Sequence, residues 1–247
     1  MKINDIVAYT QSIAPYETAE EWDNVGLLVG SPDEEVSRAL LALDITVDVI
    51  EEAREKGASL IISHHPVIFE PLRALSPDEP AYLLAKYGIA ALCLHTNLDR
   101  AEQGVNTALG AALELKNTQL FPEDFILTGE PDKEYTSAGY AAVIKERLNA
   151  PSVRYTDGKV DKVAVSSGGG GEGVMLAEKY GCNAFIAGEL KHHHWLYALQ
   201  HGIAAFDAGH FSTEDVVIKP LRDMLAERFP DIGFIISGCS VCPYRAI

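Results

Sequence analysis

The sequence predicts an α/β fold in two comparable halves, on three observations. Short, nearly all-apolar runs such as "RALLALDI", "ASLII" and "IAALCL" have strand length but lack the alternation of a half-buried strand, so both faces of their sheet should be covered. Amphipathic stretches separate these runs, several closed by a glycine at Gly57, Gly88 or Gly181, the residue that suits a helix end. The alternation of the two kinds of segment occurs twice along the chain, the pattern of helices laid on mainly parallel sheets.

In chain order, "WDN" at Trp22–Asn24 reads as a turn before a strand "VGLLVG". The first half then offers strand "RALLALDI", helix "VDVIEEAREKG", strand "ASLIIS", helix "DEPAYLLAKYG", strand "IAALCLH" and helix "AEQGVNTALGAAL". The middle, "FPEDFILTGEPDKEYTSAGY", is richer in Pro, Gly and charge, and the join between the halves is expected there. The second half offers strand "KVAVSS", helix "EGVMLAEKYG", strand "NAFIAG", helix "LKHHHWLYALQHG", strand "IAAFDAG", one long helix "STEDVVIKPLRDMLAERF" and strand "IGFIIS".

At 247 residues, 47% hydrophobic and 23% charged, the chain has the composition of a soluble globular protein with a sizeable core. Its formal net charge is −16, from 20 basic and 36 acidic side chains. No cluster of Lys and Arg is present, which argues against nucleic acid as the primary partner. No apolar run reaches the length of a membrane span, and the N-terminus lacks a signal-peptide pattern, so a cytoplasmic location is expected. The four cysteines, Cys93, Cys182, Cys239 and Cys242, suit a reducing compartment. Cys239 and Cys242 form a lone C-x-x-C with no second pair and read as ordinary thiols.

In open α/β folds, ligands gather beyond the carboxyl ends of strands. Here "ASLIIS" leads into His64 and His65, "IAALCLH" into His95 and Asp99, "NAFIAG" into Glu189, "IAAFDAG" into His210 and Glu214, and "RALLALDI" ends in Asp44. His210 and Glu214 are four apart, so on a helix they share one face. Imidazole with carboxylate suits Zn, Fe, Mn or Co better than Ca. Two adjacent histidines with a carboxylate able to bridge favour two divalent ions over one. Each residue also has a plainer reading: a surface histidine, or a carboxylate at a helix N-terminus. Their recurrence at three strand ends is what favours a metal site.

The segments "EEWDNVGLLVG", "SHHPVIF", "LHTNLD" and "GHFSTE" resemble the signature segments of the Nif-three-like family, also called GTP cyclohydrolase I type 2 homologues, in matching order and over essentially the whole chain. The resemblance implies two similar three-layer αβα domains with a metal cleft between them; the compositional join places them at 1–125 and 126–247, with the C-terminal segment able to pack back on the first. It implies a dinuclear centre held by His64, His65, Asp99, His210 and Glu214, the glutamate bridging, and homohexamers built as trimers of dimers. It also implies the short form of the family, without a long central insertion. Two departures stand out. The chain ends "CSVCPYRAI" where the family has an Asp-Pro-Phe-like ending, and Phe211 follows His210 where some relatives carry a further histidine.

Functionally, the family name implies hydrolytic opening of the guanine ring of GTP, and a hydrolase of another phosphorylated or cyclic small molecule fits the same residues. Such chemistry needs a proton acceptor, for which Asp44, His95 and Glu189 are the candidates. A non-catalytic metal carrier or regulatory scaffold is the alternative. The run Gly168, Gly169, Gly170 and Gly171 opens "EGVMLAEKYG" and contains G-x-G-x-x-G. It admits three readings: a dinucleotide fingerprint placed unusually late in the chain, a tight structural turn, or a helix N-terminus receiving an anionic substrate group. "KHHHW", Lys191–Trp195, reads as surface or interface residues, because successive helical positions point in different directions. His201 near a helix end needs no functional role.

Overall fold

The computed structural model of the protein describes residues 1–246. In chain order its elements begin with α1 (Ile3–Ile13), β1 (Gly26–Val29), β2 (Arg38–Ala42), α2 (Val47–Glu55), β3 (Leu60–Ser63), α3 (Pro80–Tyr87), β4 (Ala90–Cys93) and α4 (Thr96–Arg100). They continue with α5 (Val105–Ala112), β5 (Lys116–Phe121), β6 (Ile126–Glu130), β7 (Tyr135–Thr136), α6 (Ser137–Arg147), β8 (Arg154–Tyr155), β9 (Lys159–Val160) and β10 (Val163–Ser166). The last are β11 (Ala184–Ala187), α7 (His192–His201), β12 (Ala204–Asp207), α8 (His210–Glu214), α9 (Ile218–Arg228) and β13 (Gly233–Ile236). No helix among the described residues is long and apolar enough to cross a membrane.

The fold is α/β, in two compact units. The first comprises Met1–Ala101 and Ile218–Val241; the second comprises Glu102–Val217 and the residues from Cys242 onward. The division thus falls at residues 101 and 102, earlier than the 125 and 126 read from composition. The reason is strand pairing: β5 and β6 are antiparallel neighbours in the second sheet, while β13 pairs in parallel with β2 in the first. The segment read as a join is itself structured, carrying β6, β7 and the start of α6.

The first sheet has the order β1-β4-β3-β2-β13. Its β2, β3, β4 and β13 pair in parallel, and β1 runs antiparallel along β4. Both faces of the central strands are buried: Leu40, Ala42, Ile61 and Ala91 pack with Val49, Ile50, Leu83 and Leu84 of α2 and α3, and the intervening Ala39, Leu41, Leu60 and Ile62 are buried as well. The absence of alternation in the sequence follows directly from this double covering.

The second sheet has the order β5-β6-β10-β11-β12-β8, with β10, β11 and β12 parallel. One face meets Leu109 of α5 and Tyr140 and Ile144 of α6 through Val163, Val165, Ile186 and Phe206. The other meets Val174, Ala177 and Ala198 through Ala164, Phe185, Ala187 and Ala205. This unit is a helix–sheet–helix sandwich.

Two expected helices differ. "EGVMLAEKYG" forms two 3-10 stretches, Gly170–Leu176 and Glu178–Tyr180. Its glycines have low helix propensity, and they let the backbone lie against its neighbours: a Cβ at Gly173 would sit 2.8 Å from Ile126 and 3.0 Å from Phe185. The long helix expected after Gly209 is broken into α8, a 3-10 turn at Asp215–Val217 and α9. Pro220 cannot donate to a preceding turn and clashes with it, so it is tolerated in the first turn of α9 and not within a continuous helix.

Candidate metal centre

In the first unit, β3 ends at Ser63, so the strand alternation that would send neighbouring side chains to opposite faces does not bind His64 and His65. Their rings lie 5.0 Å apart by centroid. The backbone here is pinned by His65 N–H to the Leu43 carbonyl (3.0 Å) and by Leu94 N–H to the Ser63 carbonyl (2.9 Å). His64 is buried, and its Nδ1 lies 2.8 Å from the Leu94 carbonyl oxygen. His65 Nδ1 lies 2.7 Å from Asp44 Oδ1. Asp99, on α4, brings Oδ1 to 3.7 Å from His64 Nε2. His95 follows β4, and ligating atoms of His64, His65 and His95 all lie within 4.8 Å of one another.

His95 has a partner that sequence reasoning left inside a turn. Asp23 of "WDN" accepts from His95 Nδ1 at 2.8 Å through Oδ1. Its Oδ2 accepts from the Thr96 N–H at 3.0 Å and from the Thr96 hydroxyl. Burial on its own would push the Asp23 carboxyl up, but the hydrogen bonds from His95 and Thr96 outweigh it and hold the group at about 2. By chemistry alone the sequence offered an acid beside an aromatic and an asparagine, which also suits a turn, although "WDN" lies within a segment that carries the family resemblance.

In the second unit, α8 places His210 and Glu214 on one face, with Nε2 to Oε2 at 2.9 Å. His210 Nδ1 lies 3.0 Å from Glu189 Oε1, and Glu214 is buried. Gly168 touches this pair directly. Its φ is +54°, and a Cβ there would sit 1.8 Å from Glu214 Oε1. The Gly168 N–H is held by Thr213 Oγ1 at 3.1 Å. Within the glycine run only Gly168 is left-handed. A Cβ at Gly170 would meet Ser166 Oγ at 2.0 Å, and one at Gly171 would meet the Glu189 carbonyl at 2.4 Å. The chain's own packing therefore supplies a reason for glycine at 168, 170 and 171. In "KHHHW", His192 and His193 are exposed as expected, whereas His194 is buried. It sits in the first turn of α7, where its Nδ1 accepts the Lys191 N–H at 3.1 Å.

The candidate residues thus sort by role. His64, His65 and His210 each hold Nδ1 against an oxygen acceptor, and Asp44 and Glu189 are two of those acceptors. For His64 and His65, donation through Nδ1–H leaves the lone pair on Nε2, the usual outer arrangement of a metal-binding histidine, whereas the His210 ring lies between two carboxylate oxygens, Glu189 Oε1 and Glu214 Oε2. Asp99 and Glu214 add carboxylate oxygens.

Fold and site define an α/β protein with histidine–carboxylate groupings able to bind metal ions. The chain belongs to the Duf34/NIF3 (NGG1p interacting factor 3) family, whose model matches residues 1–243. It is 31% identical to the GTP cyclohydrolase 1 type 2 homolog of Clostridium perfringens, with all of both chains covered. It is 27% identical to the Staphylococcus aureus protein of the same name, over 93% of this chain and 94% of that one. Among solved structures, Staphylococcus aureus protein SA1388 superposes with a TM-score of 0.94 at 30% identity, over 100% of this chain and 99% of that one. Reduced HcgD from Methanocaldococcus jannaschii superposes with a TM-score of 0.81 at 27% identity, over 96% and 97%.

Proposed function

We propose that this protein is a metal-dependent hydrolase of a nucleotide or another phosphorylated or cyclic small molecule. In this reading His64, His65, Asp99, His210 and Glu214 serve two divalent transition-metal ions, with Glu214 bridging. The observation that carries it is the state of His64 and His65: each Nδ1 faces an oxygen acceptor, so each Nε2 keeps its lone pair for an incoming ion, while His210 and Glu214 stand as a paired imidazole and carboxylate on α8. Bound at such donors, divalent ions supply Lewis acidity and a nucleophilic water at neutral pH.

The chain's own residues supply the rest. Asp44 and Glu189 orient His65 and His210 through one carboxylate oxygen; the second oxygen of each is the place to take a proton from water. Trp22 and Phe69 are 58% and 49% exposed and set their rings 6.2 and 6.3 Å from that of His95, which gives a heteroaromatic ring an apolar surface to lie on. The names of the curated relatives support GTP or a related nucleotide as the first substrate to try. Assembly as a homohexamer, a trimer of dimers, and a cytoplasmic location complete the reading.

The test is turnover. Metal-free full-length protein, reconstituted separately with Zn, Fe, Mn or Co, is assayed against GTP and a panel of phosphorylated and cyclic compounds. Metal-dependent hydrolysis lost on Asp99→Asn is the expected result. A metal-replete protein that turns over none of the panel would favour a carrier or regulatory scaffold.

A further inference from the structure

We propose that the groove between α1 and the end of α9 is a second ligand site, for a small monocarboxylic acid with an aromatic or apolar body. It stands apart from the candidate metal centre and does not rest on the function proposed above.

The groove encloses about 720 Å³, within the range of small-molecule sites. Asp5, Ala8 and Tyr9 of α1 form one wall, with Met1 at its start; successive turns of a helix bring such positions onto one face. Arg228, the last residue of α9, and Phe229 form the other wall.

Strand pairing fixes where the groove lies. Phe229 leads towards β13, whose Gly233 pairs with Arg38 at the start of β2. The Met1 carbonyl accepts the Val36 N–H at 2.8 Å, also just before β2. The groove therefore sits where the parallel strands of the first sheet begin. His64, His65 and His95 follow the ends of β3 and β4, a strand length of about 10–13 Å away.

Three features define the occupant. The first is the aromatic lining: the rings of Tyr9 and Phe229 meet edge to face at 5.5 Å and 88°, a surface for an apolar body. The second is an uncommitted cation. The Arg228 guanidinium lies 5.9 Å from the Tyr9 ring and 5.2 Å from the Phe229 ring. Arg54, Arg100, Arg147, Arg154 and Arg222 each meet a carboxylate; among the described residues Arg228 meets none. A guanidinium resting on rings keeps N–H groups at its edge, in a fork that matches a carboxylate. A cation at a helix C-terminus is favourable in its own right, but that role needs only charge near the last carbonyls, and no ring-lined cavity.

The third feature is Asp5, which lines the same groove. The Lys2 ammonium beside it in sequence is paired with Asp33 at 2.8 Å. One free cation facing one fixed anion suits a ligand with a single negative charge. A phosphate dianion would meet too little positive charge and would be repelled by Asp5.

The test is isothermal titration of full-length protein with phenylacetate, its neutral amide phenylacetamide, and inorganic phosphate, each with and without bound metal. Phenylacetate is expected to bind saturably, one per chain and equally in both forms, with the amide at least tenfold weaker and phosphate failing to compete. Arg228→Gln should weaken the acid at least tenfold. Arg228→Lys keeps the charge, loses the fork and should restore only part of the affinity. Asp5→Asn should tighten the acid up to about fivefold. Ala8 is exposed on α1, so Ala8→Trp fills the groove without disturbing the core or any charge, and should abolish binding at unchanged metal content.

Folded wild type that binds no phenylacetate saturably would overturn the proposal. So would equal affinity for acid and amide, or an affinity that neither Arg228→Gln nor Ala8→Trp moves. Binding seen only with metal present would place the carboxylate on the metal centre, refuting this site and leaving the proposed function standing. A change of mass in light scattering on Ala8→Trp would show the groove to be covered by a second copy of the chain, which also refutes it. Protein that binds the acid at this groove but takes up no metal would refute the proposed function alone.

Discussion

Replacing Gly168 by alanine probes how tightly the glycine run is tied to the carboxylate of Glu214. Two separate effects act at this position. The backbone is left-handed at φ +54°, where a Cβ costs about 1–2 kcal/mol, partly offset by the lower entropy of the unfolded alanine chain. The new Cβ would also lie 1.8 Å from Glu214 Oε1, whereas real Cβ atoms stay at least 3.0 Å from such neighbours. Carboxylate and backbone must therefore separate by roughly 1 Å, a displacement that matters for a metal ligand held by direction as well as charge. We expect Gly168→Ala to lose about 1–3 kcal/mol of stability in chemical denaturation and to bind metal at least tenfold more weakly. Gly169→Ala is the built-in control: its φ is −74° and nothing lies within 4 Å of its Cβ position, so stability should change by less than about 1 kcal/mol. If the two variants unfold alike and carry the same metal, the argument from close approach is wrong.

Other expectations follow from the same geometry. Glu214→Gln should remove most of the bound metal while far-ultraviolet dichroism stays native, because a bridging carboxylate supplies charge to both ions; full metal occupancy would refute the bridging role. Glu52 links α2 to the segment after β13, accepting from Lys56, Ser237, Gly238 and Cys239. Burial would raise its carboxyl, yet these partners hold it at about 2 against an ordinary 4.5. A depressed carboxyl contributes stability that is fully present above pH about 4.5 and is lost as pH falls toward 2. Acid unfolding of Glu52→Gln should accordingly lack part of the wild type's pH dependence in that window, and identical acid profiles would show that the contacts are not formed in solution. For assembly, multi-angle light scattering at micromolar concentration is expected to give a hexamer, and a monomer there would remove the ring from the account.

How much of this was legible in the sequence depended on the range of the interaction. The strands with both faces buried could be read from Leu40 to Ala42 or Leu60 to Ile62, because double covering writes a continuous apolar run. The i,i+4 pair His210 and Glu214 was legible for the same local reason. Asp23 was not, since its meaning lies in a hydrogen bond to His95, more than seventy residues away. Nor was the point at which the chain divides, because strand pairing such as that of β5 with β6 sets it and composition does not. The glycine run left three readings open in the sequence, and the structure adds a packing reason for glycine: at Gly170 and Gly171 the space a side chain would need is filled by Ser166, Glu189 and His194.

Asp44 and Glu189 show the same limit in another form. Residue type and strand-end placement singled them out, and both do touch the candidate site, as acceptors for His65 and His210. No sequence pattern distinguishes a carboxylate that orients an imidazole from one that takes a proton, because the difference is a matter of 3 Å and of which oxygen is engaged.

The central claim is that His64, His65, Asp99, His210 and Glu214 serve two metal ions, and the most direct measurement is the metal content of untagged protein by elemental analysis. The account predicts about two transition-metal ions per chain in wild type, falling sharply in His65→Ala and Glu214→Gln variants that remain folded. Wild-type protein that stays free of transition metal after incubation with Zn, Fe, Mn and Co, or ligand variants that keep the full complement, would contradict it.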